Sequence, residues 1–144
     1  MKSVYIVAII IALGAAGWFV LSSSGGDDSS SAGEQQASAI IIPELSAMAK
    51  KGQIAFKANC AQCHGSDATG TNQGPPLIHD IYNPGHHNDM SFYRAAKMGT
   101  RAHHWQYGDM PPQPQVSDEE IGAIIQFIRE VQKANGIVYK QHRM

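Results

Sequence analysis

Cys60-Ala61-Gln62-Cys63-His64, set in the run FKANCAQCHGSDATG over residues 56–70, decides how this chain is read. It is a C-x-x-C-H pentapeptide and contains both cysteines of the chain. Two thiols three positions apart at the end of a helix reach the two vinyl groups along one porphyrin edge. The histidine that follows then aims an imidazole at the iron, which is the attachment pattern of a c-type haem. A structural disulfide, a thioredoxin-like redox pair and half a zinc site are the alternatives. The redox pair calls for a preceding strand in a βαβ pattern, which is not seen. The zinc site calls for further matched ligands, and no other Cys exists.

The remainder of the chain bounds the answer. Its 144 residues hold one domain of about 100 residues plus appendages. With 11 basic and 12 acidic residues the formal charge is -1, which argues against nucleic acid as a partner. A core this small is marginal from burial alone, so a bound cofactor or covalent staple is expected. Two cysteines are too few for a disulfide-dense fold.

Val4–Leu21, VYIVAIIIALGAAGWFVL, is 18 residues without a charge. As a helix it spans roughly 27 Å, close to the hydrocarbon thickness of a bilayer. Trp18 and Phe19 sit at one end, Lys2 precedes the block, and Asp27 and Asp28 follow it. The positive-inside rule then puts the N-terminus in the cytoplasm and the rest in the periplasm or extracytoplasmic space. A cleaved signal peptide is the alternative, although its apolar region is usually shorter. Either way the main domain is exported, as a c-type haem requires. The expected organisation is a membrane anchor at 1–21, a flexible Ser/Gly-rich linker at 22–43 and a haem domain at 44–144. Ala39 to Ile42 is apolar and is expected to pack where that domain begins.

Helical periodicity runs through the domain. Between Pro43 and Asn59, Leu45, Met48, Ala49, Gly52, Ala55 and Phe56 share one face, and Lys50, Lys51 and Lys57 the other. Ser117-Asp118-Glu119-Glu120 is a capping box that opens a helix ending near Asn135-Gly136. Ile121, Ile124, Ile125, Phe127, Ile128 and Val131 form its apolar stripe. Ser91–Gly99 is a shorter helix with Phe92, Ala95, Ala96 and Met98 expected inside. Residues 65–80, rich in Gly, Pro, Ser, Thr and Asn, read as loop. Strand alternation is absent, so the fold class is all-α with long loops organised by a large cofactor.

In this order the landmarks resemble the class I cytochrome c family, over roughly Leu45 to Gly136. Gly52 and Phe56 precede Cys60 by eight and four positions, and Gly65 follows His64. Gly74-Pro75-Pro76-Leu77 is similar to the family's Gly-Pro-x-Leu element, and Gly108-Asp109-Met110-Pro111-Pro112 to its sixth-ligand loop. The resemblance implies about three to five helices around one haem c per chain, with the first and last helices crossing near Gly52 and Phe127. It implies covalent attachment at Cys60 and Cys63 and axial ligation by His64. It also implies a hydrogen bond from the second His64 nitrogen to the Pro75 carbonyl. Leu77, Trp105 and Tyr107 are expected in the pocket wall.

Met48, Met90, Met98, Met110 and the histidines compete for the second axial position. Met98 reads as packing and Met90 as a helix start, whereas Pro111 biases Met110 away from helix and stiffens its loop. Family resemblance points to Met110 as well. His/Met ligation raises the potential and leaves no open iron position for a substrate. The expected role is therefore a single-electron carrier, not an enzyme, with no small-molecule substrate. It would serve redox proteins such as a respiratory complex, terminal oxidase or periplasmic reductase at the outer face of the cytoplasmic membrane. The domain from Glu44 onward, with 10 basic and 9 acidic residues, has too little charge for strong steering. Rivals are a haem subunit of a fixed oxidoreductase, a copper-handling protein and a haem-based gas sensor. His79, His86, His87, His103 and His104 depart from the family pattern. They read as loop residues or partners of the haem propionates, or as a second metal site for copper or zinc.

Overall fold

The computed structural model describes residues 40–141. The anchor expected at Val4–Leu21 and the linker up to residue 39 lie outside them. Among the described residues no helix is long and apolar enough to cross a membrane. Four α-helices follow in order: α1 Ala47–Asn59, α2 Ala61–His64, α3 Asp89–Met98 and α4 Asp118–Ala134, with a 3-10 turn at Asp80–Tyr82. The described residues contain no strand, only an isolated antiparallel bridge between Thr100 and Met110. The all-α architecture with long loops is thus the one observed.

Helix α1 begins at Ala47 because Ser46 caps it, its hydroxyl accepting from the Ala49 amide at 3.2 Å. Ser46 is itself held by α4. Its amide and hydroxyl donate to the two carboxylate oxygens of Glu130 at 2.9 and 2.7 Å. Helix α4 carries the full capping box, with Ser117 and Glu120 satisfying each other's backbone amides. It closes at Asn135, whose side chain both accepts from and donates to the backbone of Ile41, at 2.9 and 2.8 Å. Ile40 packs on the core, as expected for the apolar start of the domain, while Ile41 and Ile42 face outward.

The two long helices cross where α1 has no side chain. A Cβ built on Gly52 would overlap the Ala123 carbonyl of α4, so glycine is what allows the backbones to touch. One turn on, Phe56 meets Phe127 with ring centroids 5.5 Å apart and planes tilted by 53°. Both rings are fully buried, each stabilising the fold by roughly 1.5–3 kcal/mol. Leu45, Ala49, Ile121, Ile124, Ile128 and Val131 complete this core.

Two methionines depart from their expected places. Met48 is 50% exposed, because the buried face of α1 is narrowed to Ala49, Gly52, Ala55 and Phe56. Met98 is 76% exposed and is not core packing. It stands at the last residue of α3, a helix without a single fully buried residue. Phe92, Ala95 and Ala96 are half-buried against the core, and the inner face of α3 borders a cavity.

Candidate haem-binding site

Cys60 ends α1, and the single turn of α2 carries Cys63 and His64. The segment after them folds back over this turn. The Gly70 amide donates to the His64 carbonyl at 2.7 Å, and the Thr71 hydroxyl to the Cys63 carbonyl at 2.6 Å. Gly74 then lies so close that a Cβ would stand 2.9 Å from the Cys63 carbonyl oxygen. That approach delivers Pro75 to His64: the His64 Nδ1 lies 2.9 Å from the Pro75 carbonyl oxygen. A carbonyl only accepts, so Nδ1 carries the proton and Nε2 keeps its lone pair. Burial pushes the His64 pKa below its ordinary value, outweighing the opposite pull of the Pro75 carbonyl. The imidazole is therefore neutral at pH 7, the form that ligates a metal.

Next to this turn opens a cavity of about 710 Å³, within the ~300–1,000 Å³ typical of small-molecule and cofactor sites. Phe56, Cys60, His64, Pro75 and Leu77 line it from the N-terminal half of the domain. Helices α3 and α4 contribute Phe92, Ala96, Ile121, Ile124 and Ile128. Met110, Trp105 and Tyr107 line it from the loop between those helices. The residues expected at the pocket are thus brought to one cavity, with Cys63 excepted. Cys63 is exposed beside the cavity, its sulfur 4.0 Å from the Gln73 amide oxygen. Met110 is half-buried and fixed by two backbone hydrogen bonds with Thr100, 2.9 and 3.0 Å long. Met48, Met90 and the non-axial His79 do not line the cavity, whereas Met98 does. His79 instead accepts from the Ile81 amide at 3.2 Å and meets the Trp105 ring edge-on.

The chemistry of these residues suits a haem. Burial, and then neighbouring Cys63, push the Cys60 thiol up to about 11. A thioredoxin-like nucleophile needs the opposite shift. The cavity wall also holds Trp105, whose Nε1 is covered by protein atoms rather than opening onto the cavity. The Tyr82 hydroxyl is its polar neighbour, and the indole N–H opposes the rise that burial gives the Tyr82 pKa.

Two residues outside the sequence expectations hold the wall in place. Gln132 is fully buried and donates through Nε2 to the carbonyls of Leu77 at 2.8 Å and Tyr82 at 3.2 Å. Arg129 donates to the carbonyls of Tyr82 and His87, to Gln132 Oε1 at 2.7 Å and to Asp89 at 2.8 Å. Together they staple the loop carrying Leu77 to α4. Gln132 lies four residues after Ile128 on the apolar stripe, a placement that marks a polar group needing buried partners. Arg129 left no comparable signal.

Comparison with curated proteins and with solved structures found no match. The family model described as cytochrome c matches residues 49–132, from α1 into the last turn of α4. That span is more than half of the chain and contains the C-x-x-C-H turn, the Pro75 contact and Met110. By its family match and by the cavity built around that turn, the chain belongs to the cytochrome c family, as a class I c-type cytochrome whose haem c is covalently bound.

Proposed function

We propose that this chain is a membrane-tethered single-electron carrier, with Cys60 and Cys63 as the thioether sites and His64 and Met110 as axial ligands. Membership in the cytochrome c family carries haem-based electron transfer in general. The observation that carries the proposal is the neutral His64, buried and locked to the Pro75 carbonyl, on a cavity that Met110 also lines. Haem c supplies, when bound, reversible exchange of one electron between ferrous and ferric iron. The chain's residues do the rest. Pro75 fixes the His64 tautomer and orientation, as outer partners of metal-bound histidines do. Leu77 and the α4 isoleucines exclude water, and the Trp105 ring walls the cavity beside them. With His64 and Met110 both engaged, no open position is left for a substrate, which supports a carrier and not an enzyme.

The apolar Val4–Leu21 block supports an anchor that keeps the domain at the outer face of the cytoplasmic membrane. A tether raises local concentration, which suits a domain of nearly balanced charge and redox-protein partners such as an oxidase, reductase or respiratory complex. One fractionation tests both parts. Haem stain is expected in the carbonate-washed membrane pellet and on the chain after denaturing electrophoresis, and Cys60→Ala/Cys63→Ala is expected to abolish the stain. Haem lost on denaturation would refute covalent attachment. An N-terminus near Ser24 on the mature protein would refute the anchor.

A further inference from the structure

Four histidine rings gather in the wall of the haem cavity. His86 and His87 come from the loop before α3, and His103 and His104 from the loop before Met110. Neighbouring centroids lie 4.3 Å apart for His103–His104, 4.6 Å for His86–His87 and 5.1 Å for both His86–His104 and His87–His104. The ligand atoms of His86, His87 and His104 all lie within 4.8 Å of one another. We propose that His86, His87 and His104 form a second metal site, a three-imidazole site for a late first-row divalent cation, Cu²⁺ or Zn²⁺.

Three observations support this site. First, His86 Nε2 and His104 Nε2 are 3.2 Å apart. Two nitrogens sharing one tetrahedral ion at ~2.0–2.1 Å stand about 3.3–3.4 Å apart, so an ion that displaces the one proton shared by these hydrogen-bonded nitrogens needs almost no change in their spacing. Second, His87 Nδ1 lies 2.8 Å from the Ile81 carbonyl oxygen. It therefore carries its proton there and leaves the Nε2 lone pair free, the arrangement seen behind most metal-bound histidines. Third, the backbone beneath the ligands is preorganised. The buried Asn83 side chain accepts from the Gly85 and His86 amides at 2.9 and 3.2 Å, and Arg129 holds the His87 carbonyl. In the other loop, Asp109 accepts from the Ala102 amide at 2.9 Å. Closing the triad shortens ligand-atom distances of up to 4.8 Å to about 3.4 Å, roughly 1.4 Å of movement that rotation of the imidazole side chains supplies. A set of imidazoles without thiolate or carboxylate favours Cu²⁺ and Zn²⁺ over Mg²⁺ or Ca²⁺, and a fourth position stays open for water.

The test is calorimetric titration of the full-length, haem-loaded ferric protein in detergent with Zn²⁺ alone and with Cu²⁺ alone. Paramagnetic resonance of the copper form is recorded in parallel. One ion per haem is expected, with nitrogen hyperfine structure for copper. His86→Ala and His104→Ala are each expected to weaken binding by ~100-fold or more, beyond the 10–100-fold of an outer-sphere partner. His104 is exposed, so its substitution leaves folding intact, and an unchanged haem spectrum verifies that. Binding that is absent, or unchanged in both variants, overturns the site. So does a result in which the substitutions shift the haem potential in metal-free protein while neither ion binds. The histidines would then serve the haem carboxylates alone.

Discussion

Trp105 walls the cavity with its ring, and its Nε1 is covered by protein atoms beside the Tyr82 hydroxyl. Trp105→Phe keeps the ring and removes the donor. Haem-loaded protein is expected to lose about 1 kcal/mol in chemical denaturation and to keep its potential. A shifted potential in the same variant would assign the indole N–H to the haem instead. The C-x-x-C-H turn was legible in the sequence because its chemistry is local, confined to five consecutive residues. The Trp105 indole was legible as a wall residue, but its Tyr82 neighbour belongs to a distant turn. Arg129 and Gln132 were hidden because the contacts that tie them to the wall are to backbone carbonyls 42 to 55 residues away, which carry no side-chain signature.

At the scale of the helices, the capping box and apolar stripe of α4 were read correctly because both are periodic and local. On α3, Phe92, Ala95 and Ala96 lie on the expected inner face and only Met98 departs from it. Periodicity names an inner face but not what it looks upon, and here it borders a cavity, so Met98 stays 76% exposed. The α1–α4 crossing yields a paired prediction. Gly52→Ala drives a Cβ into the Ala123 carbonyl and is expected to cost about 1–3 kcal/mol, measured by denaturant titration. Gly122, also on α4, has open space around its Cβ, and Gly122→Ala is expected to gain about 0.5–1 kcal/mol. Glu130 ties the two helices electrostatically. Burial resists its charge, but the Gln126 and Ser46 hydrogen bonds prevail and hold its carboxyl below the ordinary value. A folded pKa below the unfolded one stabilises the protein above the ordinary carboxylate range. That stabilisation disappears as pH falls through the depressed folded value. Glu130→Gln is therefore expected to lower stability at pH 7 and to flatten the acid side of the stability profile below about pH 4.5. A profile identical to the parent's would remove Glu130 from that role.

Among the described residues, the long α1–α4 contact and the haem cavity account for most of the order. The loops between residues 65 and 117 are shaped around the cavity by Gly74, Gln132, Arg129 and the Thr100–Met110 bridge. The fold class was readable from helix periodicity and the attachment motif. The loop conformations were not, because distant backbone contacts and the cofactor organise them. Under the proposed function, His64 and Met110 together hold an iron that passes single electrons. A potentiometric titration of the haem absorbance, comparing the parent protein with Met110→His, tests it most directly. The parent is expected to show one reversible one-electron transition. Met110→His is expected to stay six-coordinate with a potential lower by on the order of 100 mV or more, as replacement of a thioether by an imidazole requires. An unchanged potential and spectrum in Met110→His would contradict the account.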